Sequence, residues 1–377
     1  MAKLKIDPTK IPSPASVPTG VATVIAWLAS VALAGCGSSG STASDDSGSS
    51  GSTISNEQAC ADLAQAQCSR RQACTDTGTT ETGLLLNPNG VFIMTTYGDM
   101  ATCVSRTQLA CLNNLAAPDT GISPAQLEKC AAEYATWSCV DLFDNGANPP
   151  ADCAPPGKRA NGAACTFAGQ CASSFCSNMK YATCGTCDDQ PLDGTACVSS
   201  GCAPGQECKT ESTGDMLCRD RLDVGSSTCT ADSPCKAFSS CVGAISTNPA
   251  KVGVCTTTST SAGATCGGTN PTCENNLGLA CQGVTGAKTC QPIAYVQAGT
   301  ACGTLADGSR AECVDGDCFT DTGPAATTDL GTCVAQTADG ASCDTQLGPL
   351  CLAPARCVYT GAGTSGICTV PVASMCN

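Results

Sequence analysis

Histidine is absent from this chain of 377 residues. Its absence excludes Ser/His/Asp triads, Cys/His nucleophiles and imidazole-based zinc or iron sites. Aromatic residues make up only 3% of the chain and charged residues 13%. The hydrophobic fraction of 42% rests largely on alanine and cysteine, so bulky side chains for a conventional core are scarce. Positive charge is also scarce: 18 Lys and Arg stand against 32 Asp and Glu, a net charge of −14. Nucleic-acid binding needs Lys and Arg against phosphates, so no nucleic-acid partner is expected. The acidic surface instead favours solubility.

What the chain has in abundance is cysteine, 35 residues of it. The first, Cys36, ends the box Leu33, Ala34, Gly35, Cys36 behind an apolar stretch from Val21 to Ala34. Lys3, Lys5 and Lys10 precede that stretch, which is shorter than the roughly 20 apolar residues of a spanning helix. Residues 1–35 read as a secretory signal, with ordinary cleavage near an incidental cysteine as the alternative. The box resembles that of bacterial lipoproteins, which implies that Cys36 receives lipid and becomes the first mature residue. Several acyl chains at about 0.8 kcal/mol per buried methylene make a stable membrane anchor. Gly37 stands where an Asp would resemble an inner-membrane retention signal, so the outer membrane or cell surface is expected. Removing three Lys and one Asp with the signal takes the charge from −14 to −16.

The other 34 cysteines of the 35 form an even set, enough for seventeen bridges. In an exported chain this density means a disulfide scaffold, in which cross-links substitute for burial. Residues 36–54, rich in Gly and Ser, read as a lipid-anchored tether that cannot bury enough apolar surface to order itself.

Residues 55–154 have helical composition. Ser55 and Gln58 predict a capping box that opens a helix to Cys74, with Cys60, Cys68 and Cys74 in one arc. A second helix is expected from about Asp99 to Leu115, with Cys103, Val104, Cys111 and Leu115 on one face. Ser123 as N-cap and Pro124 at the first position open a third. Leu127, Cys130, Ala131, Tyr134 and Trp137 form its stripe; Cys139 falls on the opposite face, so this helix should end or bend near Trp137. With Cys153, eight cysteines can close four bridges here.

From residue 155 a unit recurs every 32–41 residues: Gly-x-x-Cys, with Gly225 one residue further back in the third unit, then three more cysteines. Its cysteines are Cys165, Cys171, Cys176 and Cys184; then Cys197, Cys202, Cys208 and Cys218; then Cys229, Cys235, Cys241 and Cys255. The remaining units hold Cys266, Cys273, Cys281 and Cys290; Cys302, Cys313, Cys318 and Cys333; and Cys343, Cys351, Cys357 and Cys368. Cys187 and Cys376 are left over. The glycine opening each unit is expected at positive φ in a turn. Short strands such as Val252–Cys255 and Thr332–Val334 should pair into small hairpins. Two bridges per unit are the simplest closure, and three connectivities satisfy it. The expected fold is therefore small and disulfide-rich: a disulfide-pinned three-helix bundle followed by an array of short-strand and loop four-Cys repeats over 155–377.

The Gly-x-x-Cys openings and four-cysteine spacing resemble Dickkopf N-terminal-type cysteine-rich regions. With the lipobox, the layout resembles cysteine-rich surface lipoproteins of myxobacterial type. The resemblance implies a non-enzymatic extracellular module and assigns no binding residues.

Other chemistry has thin support. Cys184 and Cys187 form a Cys-x-x-Cys pair, as in thiol oxidoreductases, but no βαβ pattern surrounds them and no helix starts at Cys184. Four-cysteine zinc needs a second such knuckle. Asp315, Gly316 and Asp317 read as a turn rather than a full calcium loop. No metal, cofactor or catalytic residue is expected. The favoured function is a non-catalytic, lipid-anchored surface protein presenting loops to an extracellular protein or glycan. A protease inhibitor or ligand-capture module is the alternative, followed by an envelope oxidoreductase.

Overall fold

The computed structural model describes residues 54–376 apart from 77–89, 145, 178–181, 198–201, 212, 231–233, 245–250, 285, 326–328 and 362. The signal, the lipobox with Cys36, and the tether as far as residue 53 lie outside the described residues. Five helices come first: α1 (Asn56–Thr75), α2 (Val91–Tyr97), α3 (Met100–Leu115), α4 (Pro124–Tyr134) and α5 (Cys139–Phe143). The three long ones stand where their caps place them. Ser55 accepts a hydrogen bond from the Gln58 N–H (3.1 Å), Asp99 from that of Thr102 (2.7 Å) and Ser123 from that of Gln126 (3.4 Å). Each satisfies an N–H that the first helical turn leaves without a partner. The reciprocal half of the capping box at Ser55 does not form, because the Gln58 amide donates to Asp62 Oδ2 instead (2.8 Å).

The short helices α2 and α5 are additions to the expected three. Helix α4 stops at Tyr134, and Ser138 caps the restart as α5. That break turns Cys139 toward α1, where it bridges Cys74. Cys60 bridges Cys111 and Cys68 bridges Cys103. Eight residues separate the cysteines on each helix, about 12 Å of rise, so the two bridges clamp α1 and α3 antiparallel at matching heights. Cys130–Cys153 ties α4 to the chain that leaves it. Between the helices lies an apolar cluster with Leu63, Leu127, Tyr134, Trp137 and Leu142. Tyr134 and Trp137 meet edge to face at 5.1 Å, and the Trp137 Nε1–H donates to the Ala147 carbonyl (3.2 Å).

Beyond residue 155 the structure consists of small sheets. A three-stranded sheet holds Ala164–Cys165, Gly185–Cys187 and Cys176–Ser177, with the second strand central. Three hairpins follow: Gln206–Thr210 with Met216–Asp220, Ser239–Val242 with Val254–Thr257, and Leu279–Gln282 with Thr289–Pro292. Ala294 to Ala335 form a six-stranded sheet, and Ser342–Asp344, Ser365–Thr369 and Arg356–Tyr359 a three-stranded one. The expected strands near 252–255 and 332–334 occur as Val254–Thr257 and Leu330–Ala335.

The bridges resolve the connectivity left open by the sequence. First pairs with third and second with fourth: Cys197–Cys208 with Cys202–Cys218, Cys229–Cys241 with Cys235–Cys255, and Cys266–Cys281 with Cys273–Cys290. Cys302–Cys318 with Cys313–Cys333, and Cys343–Cys357 with Cys351–Cys368, do the same. The third and fourth cysteines lie directly opposite each other across an antiparallel pair, as Cys208 does to Cys218 and Cys281 to Cys290. Their sulfurs therefore leave one face of the hairpin side by side and reach the two earlier cysteines in parallel.

One expectation is corrected in the first set. Cys165 pairs with Cys176, but Cys171 pairs with Cys187 rather than Cys184. Cys184 joins Cys376, 192 residues away. Neither Cys187 nor Cys376 is left over. The reason is a backbone hydrogen bond from the opening glycine to the fourth cysteine: Gly162 N–H donates to the Cys187 carbonyl, as Gly194 does to Cys218 and Gly340 to Cys368. These glycines sit at φ of 79–88°, which an L side chain rarely adopts.

Candidate functional site

Every cysteine from Cys60 to Cys376 is bridged, seventeen bonds in all. This decides the chemistry of the Cys-x-x-Cys pair. Cys184 and Cys187 belong to different bridges, so they form neither a dithiol nor a disulfide with each other. Sulfurs also cluster in threes, such as Cys165, Cys171 and Cys187, within 4.8 Å of one another. These are crossing disulfides, whose sulfurs carry no thiolate charge for a metal.

Asp315 sits at a positive φ of 51°, and its N–H donates to the carbonyl of Met94 in α2 (3.1 Å). Its carboxyl lies against Gly98, and burial together with the nearby Asp99 holds it above the usual carboxylate range. Burial raises Asp317 in the same direction. The Asp-Gly-Asp turn thus docks a sheet on a helix. Tyr134 and Trp137 are buried in the helical cluster and offer no exposed platform.

Residues 52–377 form a single compact unit, and its sheets meet the helical region one after another. The first does so through Gln170, whose amide donates to the Pro118 carbonyl (2.9 Å). The next two share Asp144 at the end of α5, which is fully buried. The Gly205 N–H donates to its carbonyl (3.0 Å), Arg221 approaches its carboxylate (3.5 Å), and the Ala237 N–H donates to Oδ1. Burial raises the Asp144 carboxyl, against the opposing pull of that N–H, Arg221 and Lys236. Beside it Phe143 meets Phe238 edge to face at 5.8 Å. The third hairpin brings Gly278 against Val91 of α2, and the six-stranded sheet brings Asp315. The last sheet docks through Arg106 of α3, whose guanidinium grips Asp339 with two bonds of 2.7 Å and reaches the carbonyls of Leu352 and Ala353. Cys184–Cys376 then ties the end of the chain to its first sheet.

Sequence reasoning did not single out Asp144 or Arg106. Neither carries a motif in local sequence, and only their distant partners distinguish them. The eight-residue spacing shared by Cys60/Cys68 and Cys103/Cys111 was a usable signal for the helix pairing.

Bridges, small sheets and helices define a disulfide-rich protein with a helical N-terminal region. Comparison of the chain with protein-family models, with curated proteins and with solved structures yields no match in any of the three. Among the described residues no helix is long and apolar enough to cross a membrane.

Proposed function

We propose that this chain is a non-catalytic surface lipoprotein, exported and anchored by lipid on Cys36, whose disulfide-laced body presents loops to an extracellular protein or glycan. The observation that carries this reading is the complete pairing of Cys60 to Cys376, which leaves no thiol for redox chemistry or metal binding and suits an oxidising exterior. The helical region is read as a disulfide-pinned bundle of three long helices. The region after it is read as six copies of one four-cysteine unit, similar to Dickkopf N-terminal-type modules. Two recurrent hydrogen bonds support the repeat: in all six sets the opening glycine donates to the fourth cysteine's carbonyl, and that cysteine's N–H donates to the residue after the glycine.

The test is non-reducing peptide mapping of protein from native membranes, with thiols alkylated before lysis, combined with protease treatment of intact cells. Lipid on Cys36, no alkylated cysteine, and digestion from outside are expected. Alkylated Cys184 or Cys187 would make it an oxidoreductase, and full protection in intact cells would sink the surface assignment. Inhibition of one member of a protease panel would select the inhibitor alternative.

A further inference from the structure

All eight arginines of the chain are described, and seven have partners. Arg106, Arg159, Arg219, Arg221 and Arg310 pair with carboxylates, Arg70 donates to the Trp137 carbonyl (2.7 Å), and Arg71 lies 4.8 Å over the Phe92 ring. Arg356 is the exception. It is half-buried, and its Nη1 is enclosed without a hydrogen-bond acceptor among the described residues. Burial alone weakens its hold on its proton, with no carboxylate opposing the effect. In a chain with 32 acidic residues, a half-buried guanidinium whose Nη1 is enclosed without an acceptor is anomalous, because an enclosed donor left without its hydrogen bond is destabilising.

Arg356 lines a cavity of about 320 Å³ between the helical region and the first and last sheets. The remaining wall is mostly apolar, with Leu63, Ile122, Leu127, Phe167 and Pro354. The second unsatisfied polar group on this wall is Asn114, whose Oδ1 is also enclosed without a partner. Its amide can present either end, so a half-turn offers Nδ2 as a donor. The contrast with a cavity of about 440 Å³ beside α2 is instructive, since the arginine there, Arg310, is already held by Glu312 at 2.9 Å.

We propose that this cavity binds a small monocarboxylate with an apolar body, its carboxylate on Arg356 and Asn114 and its body against Leu63, Leu127 and Phe167. A guanidinium matches a carboxylate with two parallel hydrogen bonds, and the apolar wall takes the rest. At about 30 Å³ per water-sized atom the cavity holds about ten non-hydrogen atoms. That suits a medium-chain or single-ring acid and is too small for a long acyl chain. One cation matches a single negative charge and not a phosphate dianion.

The experiment is calorimetric titration of the full, bridged chain with octanoate, and with octanol and octylamine as probes of the head group. One octanoate site is expected, with no octylamine binding and octanol at least tenfold weaker. Arg356→Met should weaken octanoate at least tenfold, Arg356→Lys less, and Ala110→Phe, which fills the cavity from α3, should abolish binding. No octanoate binding to the native chain overturns the proposal, and so does unchanged affinity in a folded Arg356→Met. If Arg356→Met does not fold, equal affinity of the native chain for octanol and octanoate overturns it.

Discussion

Between Asn56 and Phe143 the buried set includes Leu63, Ile93, Leu127, Tyr134, Trp137 and Leu142 beside its cysteines. In the C-terminal region the clusters are nearly all sulfur: Cys165, Cys171, Cys176 and Cys187 form one, and Cys302, Cys313 and Cys333 another. The bridges differ in the same way. In the helical region they span 23–65 residues, and three of the four join helices that already have a hydrogen-bonded interior. In the sets after residue 155 they span 11–20 residues and hold hairpins of two to six residues per strand, too short to persist alone. Each such loop contributes about 3 kcal/mol by restricting the unfolded chain. One region therefore has an apolar interior reinforced by bridges, and the other has bridges for an interior.

Full reduction should break that comparison most sharply. The C-terminal region is expected to lose all amide protection in hydrogen exchange, while α1, α3 and α4 keep part of theirs. Protected amides in the hairpins after reduction would refute the contrast. The next largest effect belongs to the helical interior: Trp137→Ala should cost about 3–5 kcal/mol in guanidinium unfolding. Arg106→Ala tests the docking between the regions. It removes charge-assisted bonds to Asp339 and two carbonyls, and about 2 kcal/mol is expected, with exchange rising first in the last sheet. Replacing both Cys184 and Cys376 by serine opens a span of 192 residues. The ends are already held near each other, since Arg159 donates to the Cys376 carbonyl (2.9 Å), so about 1–2 kcal/mol is expected rather than the larger value of an isolated loop.

The smallest effect is in pH dependence, where two carboxyls act in opposite directions. Asp344 accepts hydrogen bonds from the Ser365 hydroxyl, the backbone N–H groups of Leu347 and Gln346 and the Thr364 hydroxyl, which hold it well below the usual range. Its contribution is present above the unfolded value of about 3.9 and is lost as pH falls through the native one. Asp144 is raised by burial, so its contribution is full below about 3.9 and is lost as pH rises through the native value. Asp344→Asn should flatten the acid limb of a stability profile, and Asp144→Asn should flatten the limb just above it. Identical profiles for both variants would show that neither carboxyl is linked to folding.

The long helices were legible because their signals are local. Ser55, Asp99 and Ser123 each sit three residues before the N–H they cap. Helix α2 has only seven residues, too few to show a period, and Gly90 and Gly98 flank it at positive φ without a side-chain cap. The assignment of Cys184 to the first set followed nearest spacing, and the Gly162 hydrogen bond to Cys187 reverses it. Arg356 carries no local mark, because what sets it apart is an enclosed Nη1 without an acceptor among the described residues.

By itself the sequence determined the material of this protein: no histidine, few aromatics, an even set of cysteines after Cys36, three long helices, two of them with legible caps, and glycines where the chain must turn. Those are properties of composition and of contacts a few residues apart. Which cysteine meets which, how Asp144, Asp315 and Arg106 dock the sheets on the helices, and which arginine is left without a partner among the described residues were decided by the tertiary structure. The physical reason is distance along the chain: Arg106 is 233 residues from Asp339, and Cys184 is 192 from Cys376. No local propensity encodes such a pairing, which forms only when the packed chain brings the two ends within a bond length or a hydrogen bond.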